Sequence, residues 1–158
     1  MTKPINIAYL VLGSNINPHE TLSKGYSLIQ KSVSIVSKTP MFITPPFNAI
    51  KNIEPYYNQA ISIKTTSNLK QLKEDILKPI ENKLDHEIDK NERCFDADII
   101  LYNNIISNSP IKIPHESLFK VPYVSYLLSL LIPENTIPGT IQTIQSLSET
   151  LNSSKHPY

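Results

Sequence analysis

The chain has 158 residues, with 15 Lys and Arg against 14 Asp and Glu, for a formal net charge of +1. That balance gives no electrostatic reason to expect nucleic acid or an acidic membrane as a partner, and 40% apolar against 18% charged residues is a folding rather than a disordered composition. The single cysteine, Cys94, excludes an intrachain disulfide framework and suits a reducing, cytoplasmic setting, and the N-terminal apolar run is too short to span a bilayer.

No linker or repeat divides the chain, so one domain is expected over residues 1–158. Ile5 to Leu12 reads as a buried strand closed by a turn at Gly13-Ser14-Asn15. Asn17 is placed as an N-cap, with Pro18 at the first helical position and Glu20 as capping-box partner. The helix that follows aligns Leu22, Tyr26, Ile29 and Val33. A strand from about Val33 to Phe42 stops at Thr44-Pro45-Pro46, because paired prolines cannot continue a ladder. Tyr57 to Lys64 alternates apolar and polar side chains as a third strand. Thr66 or Ser67 is expected to cap a second helix, striped by Leu69, Leu72, Ile76 and Ile80 and kinked or stopped near Pro79. A charged loop over residues 81–93 leads to a strand from Asp96 to Tyr102. Asn103-Asn104 turns into a short strand around Ile105 and Ile106. Pro122 starts a helix carrying Tyr123, Leu127 and Leu130. A last amphipathic helix begins near Thr140 with Ile141, Ile144, Leu147 and Leu151 on one side. Strands and helices mingle without a βαβ rhythm, which predicts an α+β domain: a largely antiparallel sheet with helices on both faces.

One stretch departs from ordinary strand chemistry. In RCFDADIILYNN, residues 93–104, two aspartates open an apolar run. On a strand, Asp96 and Asp98 share a face about 6.6 Å apart at Cα. Such a pair either grips a hard cation, whose shell phosphate oxygens complete, or faces solvent among nearby lysines. Arg93 has the planar fork to clamp a phosphate or to make a surface ion pair. His115 is placed either to donate to a phosphate or to hold its own loop. Thr44-Pro45-Pro46-Phe47 and Tyr56-Tyr57-Asn58 read either as an aromatic slot for a flat heterocycle or as a proline turn against core tyrosines. The Asn58 amide both donates and accepts, as a pteridine or purine edge requires. Cys94 reads as a small buried residue on the opposite face from the aspartates. Neither phosphate-binding glycine motif occurs, so P-loop and Rossmann readings have no support.

Taken in order, these segments resemble a known family. AYLVLGSN at 8–15, TPPF at 44–47, YYNQAISI at 56–63, RCFDADIILYNN at 93–104, IPHESLF at 113–119 and YVSYLLSLLIPE at 123–134 are similar to the 6-hydroxymethyl-7,8-dihydropterin pyrophosphokinase (HPPK) family of folate biosynthesis. The resemblance implies a ferredoxin-like core and transfer of diphosphate from ATP to the pterin hydroxymethyl oxygen, with release of AMP. It implies that Asp96 and Asp98 hold two Mg²⁺ ions and act with Arg93 in catalysis. Thr44, Pro45, Pro46, Phe47 and Asn58 match the residues that read the pterin edge, and Tyr56 and Tyr123 the two aromatics that sandwich it. Glu81, Arg93, Ile99 and His115 match the ATP side.

The sequence also departs from the family's pattern. The catalytic loop usually carries several arginines, a tryptophan and Gly-Pro-Arg. Here it is KLDHEIDKNER, with Asn91-Glu92 in place of Gly-Pro and only Arg93 retained. Val121 and Pro110 stand at two further arginine positions. Lys83, Lys90, Lys112 and Lys120 are the candidate replacements, although a lysine is a point charge without the bidentate fork. The alternative expectation is therefore an HPPK-like domain that binds without turnover, scaffolding or fused to dihydropteroate synthase. An unrelated Mg²⁺-dependent nucleotidyltransferase would explain the aspartates but not the TPPF and YYN segments.

Overall fold

The computed structural model describes residues 2–44, 56–88 and 94–153. Its centre is an antiparallel sheet of five strands: β1 (Asn6–Ser14), β2 (Ser34–Lys38), β3 (Phe42–Thr44), β4 (Tyr56–Thr65) and β5 (Asp96–Tyr102). The spatial order is β2-β4-β1-β5, with β3 also paired to β4. β1 and β4 are the central strands, and both are buried over most of their length.

Helices cover both faces, in agreement with the α+β expectation. One face carries α1 (Pro18–Gln30) and a composite helix made of α2 (Leu69–Gln71), a π-helical stretch (Leu72–Leu77) and α3 (Lys78–Ile88). The apolar cluster on this side joins Leu10, Leu12, Ile61 and Ile63 of the sheet to Leu22, Ile29, Leu72 and Leu84. The other face carries α4 (Ser117–Lys120), α5 (Pro122–Ser129) and α6 (Ile144–Leu151). Here Val11, Ala60 and Ile100 pack against Leu118, Val124, Leu127 and Ile144. Alternation along β5 therefore sends Ala97 and Ile99 to the α1/α3 cluster and Asp96 and Asp98 to the α5 side.

Several element boundaries differ from the sequence-based expectation. β1 does not turn at Gly13, because Gly13 pairs with Asn58 on one side and Asp96 on the other, and Ser14 with Tyr57. Asn17 does stand at the N-cap, but with φ of 42° and no capping bond from its side chain. Glu20 pairs instead with Lys24 at 3.1 Å. The expected single strand from Val33 is two, divided at Thr39-Pro40. The cap of the second helix is Asn68, in a reciprocal box with Gln71. Pro79 does not stop that helix. The wider π stretch ends at Leu77, where the Lys78 N–H bonds back to Lys73, which relieves the clash of a proline ring with the preceding turn. Much of the expected charged loop is helix α3. Ile105 and Ile106 form no named strand; Ser107 and Ile113 make an isolated bridge instead. Leu130 falls just after α5 and is exposed. α6 starts three residues after Ile141, capped by Thr143, and leaves Ile141 fully exposed.

Candidate active site

The site is built from adjacent rows of the sheet. Asn58 of β4 lies beside Gly13 of β1, and Gly13 beside Asp96 of β5. Two pairs further along, Ala60, Val11 and Asp98 form the next row on the same face. Asn58 is 3% exposed, so its amide must find partners within the protein. Its Nδ2 donates to Thr44 Oγ1, and the Thr44 hydroxyl donates in turn to the Tyr56 carbonyl at 3.4 Å. A Cβ at position 13 would stand 2.7 Å from Asn58 Oδ1. Glycine is required there because the Asn58 amide occupies the space a side chain would need.

Tyr56, Asn58, Asp96, Asp98 and Tyr123 line a cavity of about 70 Å³ floored by Val11 and Gly13. It is smaller than a bicyclic heterocycle, so a ring could enter it only with movement of the lining side chains. Burial pushes the Tyr56 phenol above its ordinary value, and the Asp96 carboxylate adds to the shift by opposing a second negative charge.

A second cavity of about 380 Å³ adjoins β5, the other boundary strand of the sheet. Lys73, Ile99, Ile111, Lys112 and His115 line it, and so does Asp98. Asp98 is thus common to both cavities. His115 is fixed from two sides. Its backbone N–H donates to the Ile100 carbonyl at 2.9 Å, and its Nδ1 accepts the Ser117 N–H at 3.1 Å, with Ser117 Oγ 2.8 Å away. Accepting at Nδ1 leaves the Nε2–H of the neutral ring as the donor.

The expected residues therefore fall into two groups and a remainder. Tyr56, Asn58 and Tyr123 meet around one cavity, with Thr44 bonded behind Asn58. Ile99 and His115 meet around the other, with Asp96 on the first cavity and Asp98 on both. Glu81 is 3% exposed and lies behind β5, where its Oε2 accepts the Ala97 N–H at 3.1 Å. Cys94 is buried in the cluster against α1 and α3, as expected of a packing residue. Pro45, Pro46, Phe47, Lys90 and Arg93 lie outside the described residues.

Of the candidate replacement cations, Lys112 lines the second cavity, whereas Lys83 pairs with Glu87 at 3.9 Å and Lys120 with Glu116 at 3.3 Å. Lys73, which the sequence did not single out, lies in the π stretch and joins Lys112 in the lining of the cavity that Asp98 borders. Gly13 was also missed as a site residue. Its signal was available: a glycine inside a strand pattern marks a close approach of another group.

The donor set fits Mg²⁺ carried on a polyphosphate. Among the described residues no group of three or more His, Cys, Asp or Glu could hold a metal unaided. Two half-buried carboxylates on one face instead leave coordination positions for phosphate oxygens and water.

An aromatic, amide-bearing slot bordered by two carboxylates and a lysine- and histidine-lined cavity that shares one of them thus lie side by side on an α+β domain. The chain belongs to the 7,8-dihydro-6-hydroxymethylpterin-pyrophosphokinase (HPPK) family, whose model matches residues 9–133. It is 31% identical to the 2-amino-4-hydroxy-6-hydroxymethyldihydropteridine pyrophosphokinase of Bacillus subtilis over 75% of this chain and 74% of that one. It is 29% identical to the folate synthesis bifunctional protein of Chlamydia caviae over 89% of this chain but 34% of the relative. Among solved structures, the Plasmodium falciparum HPPK-DHPS triple mutant with STZ-DHP aligns with a TM-score of 0.78 at 15% identity, over 96% of this chain and 44% of that one. The chain thus spans about a third to under half of these two longer proteins.

Proposed function

We propose that this chain transfers diphosphate from ATP to 6-hydroxymethyl-7,8-dihydropterin. The pterin hydroxymethyl oxygen attacks the β-phosphorus of ATP, the bond from that phosphorus to the bridging oxygen of the α-phosphate breaks, and AMP leaves. The observation that carries the reading is that Asp98 borders both cavities. The two substrates then meet at a carboxylate.

Each part of the chain has a task in this reaction. Asn58, held by Thr44, offers its amide to the pterin edge, and Tyr56 and Tyr123 stack on the ring faces. Stacking of this kind adds about 0.5–1.5 kcal/mol per pair beyond area burial. Pro45, Pro46 and Phe47 are assigned to the same pterin edge through the family pattern. Ile99 and Ile111 form apolar walls suited to the adenine, and His115 donates its Nε2–H to a phosphate oxygen. Lys73 and Lys112, with Arg93, balance the charge of the triphosphate. Asp96 and Asp98 would hold two Mg²⁺ ions, which would supply positive charge to offset the negative charge of the polyphosphate. Holding two substrates in line, rather than forming a covalent intermediate, accounts for the rate.

The test is pterin-dependent AMP release from ATP and Mg²⁺, with Asp98→Ala as the comparison. Turnover in the parent and none in the variant supports the assignment. A second reading is favoured by Val121, which packs against the α5/α6 apolar cluster at a family arginine position. In that reading the domain binds pterin without transferring diphosphate, and the assay returns pterin binding but no AMP. The bifunctional relatives support physical association or fusion with a dihydropteroate synthase. No helix of the described residues is long and apolar enough to cross a membrane, and a cytoplasmic location is proposed from the single cysteine and the substrates.

A further inference from the structure

The start of β5 is fastened to α3 by two carboxylates. Glu81 and Asp85 stand one turn apart on the helix and so present their side chains to the same neighbour. Asp85 Oδ1 accepts the Cys94 N–H at 2.8 Å and the Phe95 N–H at 3.3 Å, and Glu81 Oε2 accepts the Ala97 N–H at 3.1 Å. These three donors bracket Asp96, and the last of them lies one residue before Asp98.

β5 ends the strand order, paired with β1 alone in the sheet. Its N–H groups on the outer side therefore need acceptors from elsewhere. A hydrophobic cover would hide them without satisfying them. Carboxylates satisfy them with charge-assisted bonds, fixing the peptide plane that follows Asp96 and, one residue before it, the plane that ends in the Phe95 N–H. The buried side chains of Cys94, Phe95 and Ala97 hold the same backbone from beneath.

We infer that Asp85, together with Glu81, is a positioning pair that sets the placement of the Asp96 and Asp98 carboxylates. This rests on the reading of Asp96 and Asp98 as the residues that take the divalent cations. α3 then does more than cover the sheet: it holds the metal-binding strand in register from behind. A carboxylate at 85 is needed only as an acceptor, so asparagine there keeps the function and alanine loses it.

The test is Mn²⁺ affinity in the presence of α,β-methylene-ATP, read from the electron paramagnetic resonance of free Mn²⁺, beside pterin affinity measured without nucleotide. Asp85→Ala is expected to weaken Mn²⁺ binding about tenfold, the scale of losing a bond to a charged acceptor, while pterin affinity stays within about twofold. Asp85→Asn is expected to bind Mn²⁺ within about twofold of the parent, since its Oδ1 still accepts the two N–H groups. Unchanged Mn²⁺ affinity in Asp85→Ala overturns the inference. Equal loss of Mn²⁺ and pterin affinity also overturns it, since that is what a merely structural bond would give. Asp98→Ala is measured alongside: if it leaves Mn²⁺ binding intact, the metal reading itself falls, and the positioning role with it.

Discussion

The two cavities that share Asp98 are made in different ways. The one on the pterin side is part of the sheet. Asn58, Gly13 and Asp96 are cross-strand neighbours, and Thr44 is tied to the same row by β3 pairing with β4. The one on the nucleotide side uses long side chains, Lys73 and Lys112, and a segment that folds back on β5 through the His115 N–H. A pterin edge needs directional donors and acceptors, which a rigid ladder can hold in place. A triphosphate needs positive charge within reach, which flexible lysines can supply without exact geometry. The difference suggests that arginines are replaceable on one side, while the slot on the other tolerates little change.

Removing the shared carboxylate should give the largest effect. Asp98→Ala is expected to lower AMP release on the order of a thousandfold, with pterin affinity nearly intact by calorimetry. A loss confined to pterin affinity would place Asp98 on one side only. Next in size is Gly13→Ala, whose methyl would meet Asn58 Oδ1 at 2.7 Å. It is expected to displace the amide from Thr44, weaken pterin binding about tenfold or more and cost about 1–3 kcal/mol in stability. ATP affinity should be unaffected. A variant that binds both substrates normally would show that the slot is more adaptable than its ladder implies.

On the nucleotide side the expected effects are smaller because the charge is shared. Lys112→Met should raise the KM for ATP about tenfold, the scale of one hydrogen bond to a charged group. It should leave the KM for pterin alone, and Lys112→Arg should restore ATP affinity. If Lys73 and Lys112 already supply the missing charge, Val121→Arg should leave turnover within about twofold. Its long stem can cover the apolar cluster while the head reaches water, so the expected loss of stability is about 1 kcal/mol. A large gain in turnover would show instead that the missing fork still limits the reaction.

The legible parts of this molecule were those where local pattern and tertiary role coincide. The strand Asp96–Tyr102 was recoverable to the residue, since its apolar run is bounded by carboxylates and by Asn103. Asn58, Tyr56 and Tyr123 were recoverable as a group because the family resemblance joins segments that composition cannot. The failures came from distant partners. The charged stretch from Glu81 looked like a loop, yet the structure uses Glu81 to satisfy an N–H group of β5 and Asp85 to satisfy two just before it, and that need is invisible locally. Pro79 looked like a stop, and the π stretch before it removed the reason to stop. Lys73 carried no signal at all, because its place in the cavity that Asp98 borders depends on packing between segments distant in the chain.

The smallest predicted effect bears on the boundary between the two cavities. Tyr56 is raised first by burial and second by Asp96. Asp96→Asn removes the second cause and keeps the first, so the Tyr56 pKa should fall but remain above its ordinary value, as read from the tyrosine ring carbons by NMR. The sign extends to stability. A phenol raised in the folded state contributes stability that is complete below about pH 10 and is lost as the pH climbs through the raised value. Asp96→Asn should therefore narrow the alkaline window over which that contribution is lost and make the loss smaller. A divalent cation bound by Asp96 should move the phenol in the same direction as the substitution, since it cancels the same charge. Titrating Tyr56 with and without Mg²⁺ and α,β-methylene-ATP then asks whether the two cavities communicate. If the cation lowers the phenol's pKa in the parent and has no effect in Asp96→Asn, charge bound at the paired carboxylates is felt at the Tyr56 wall through Asp96.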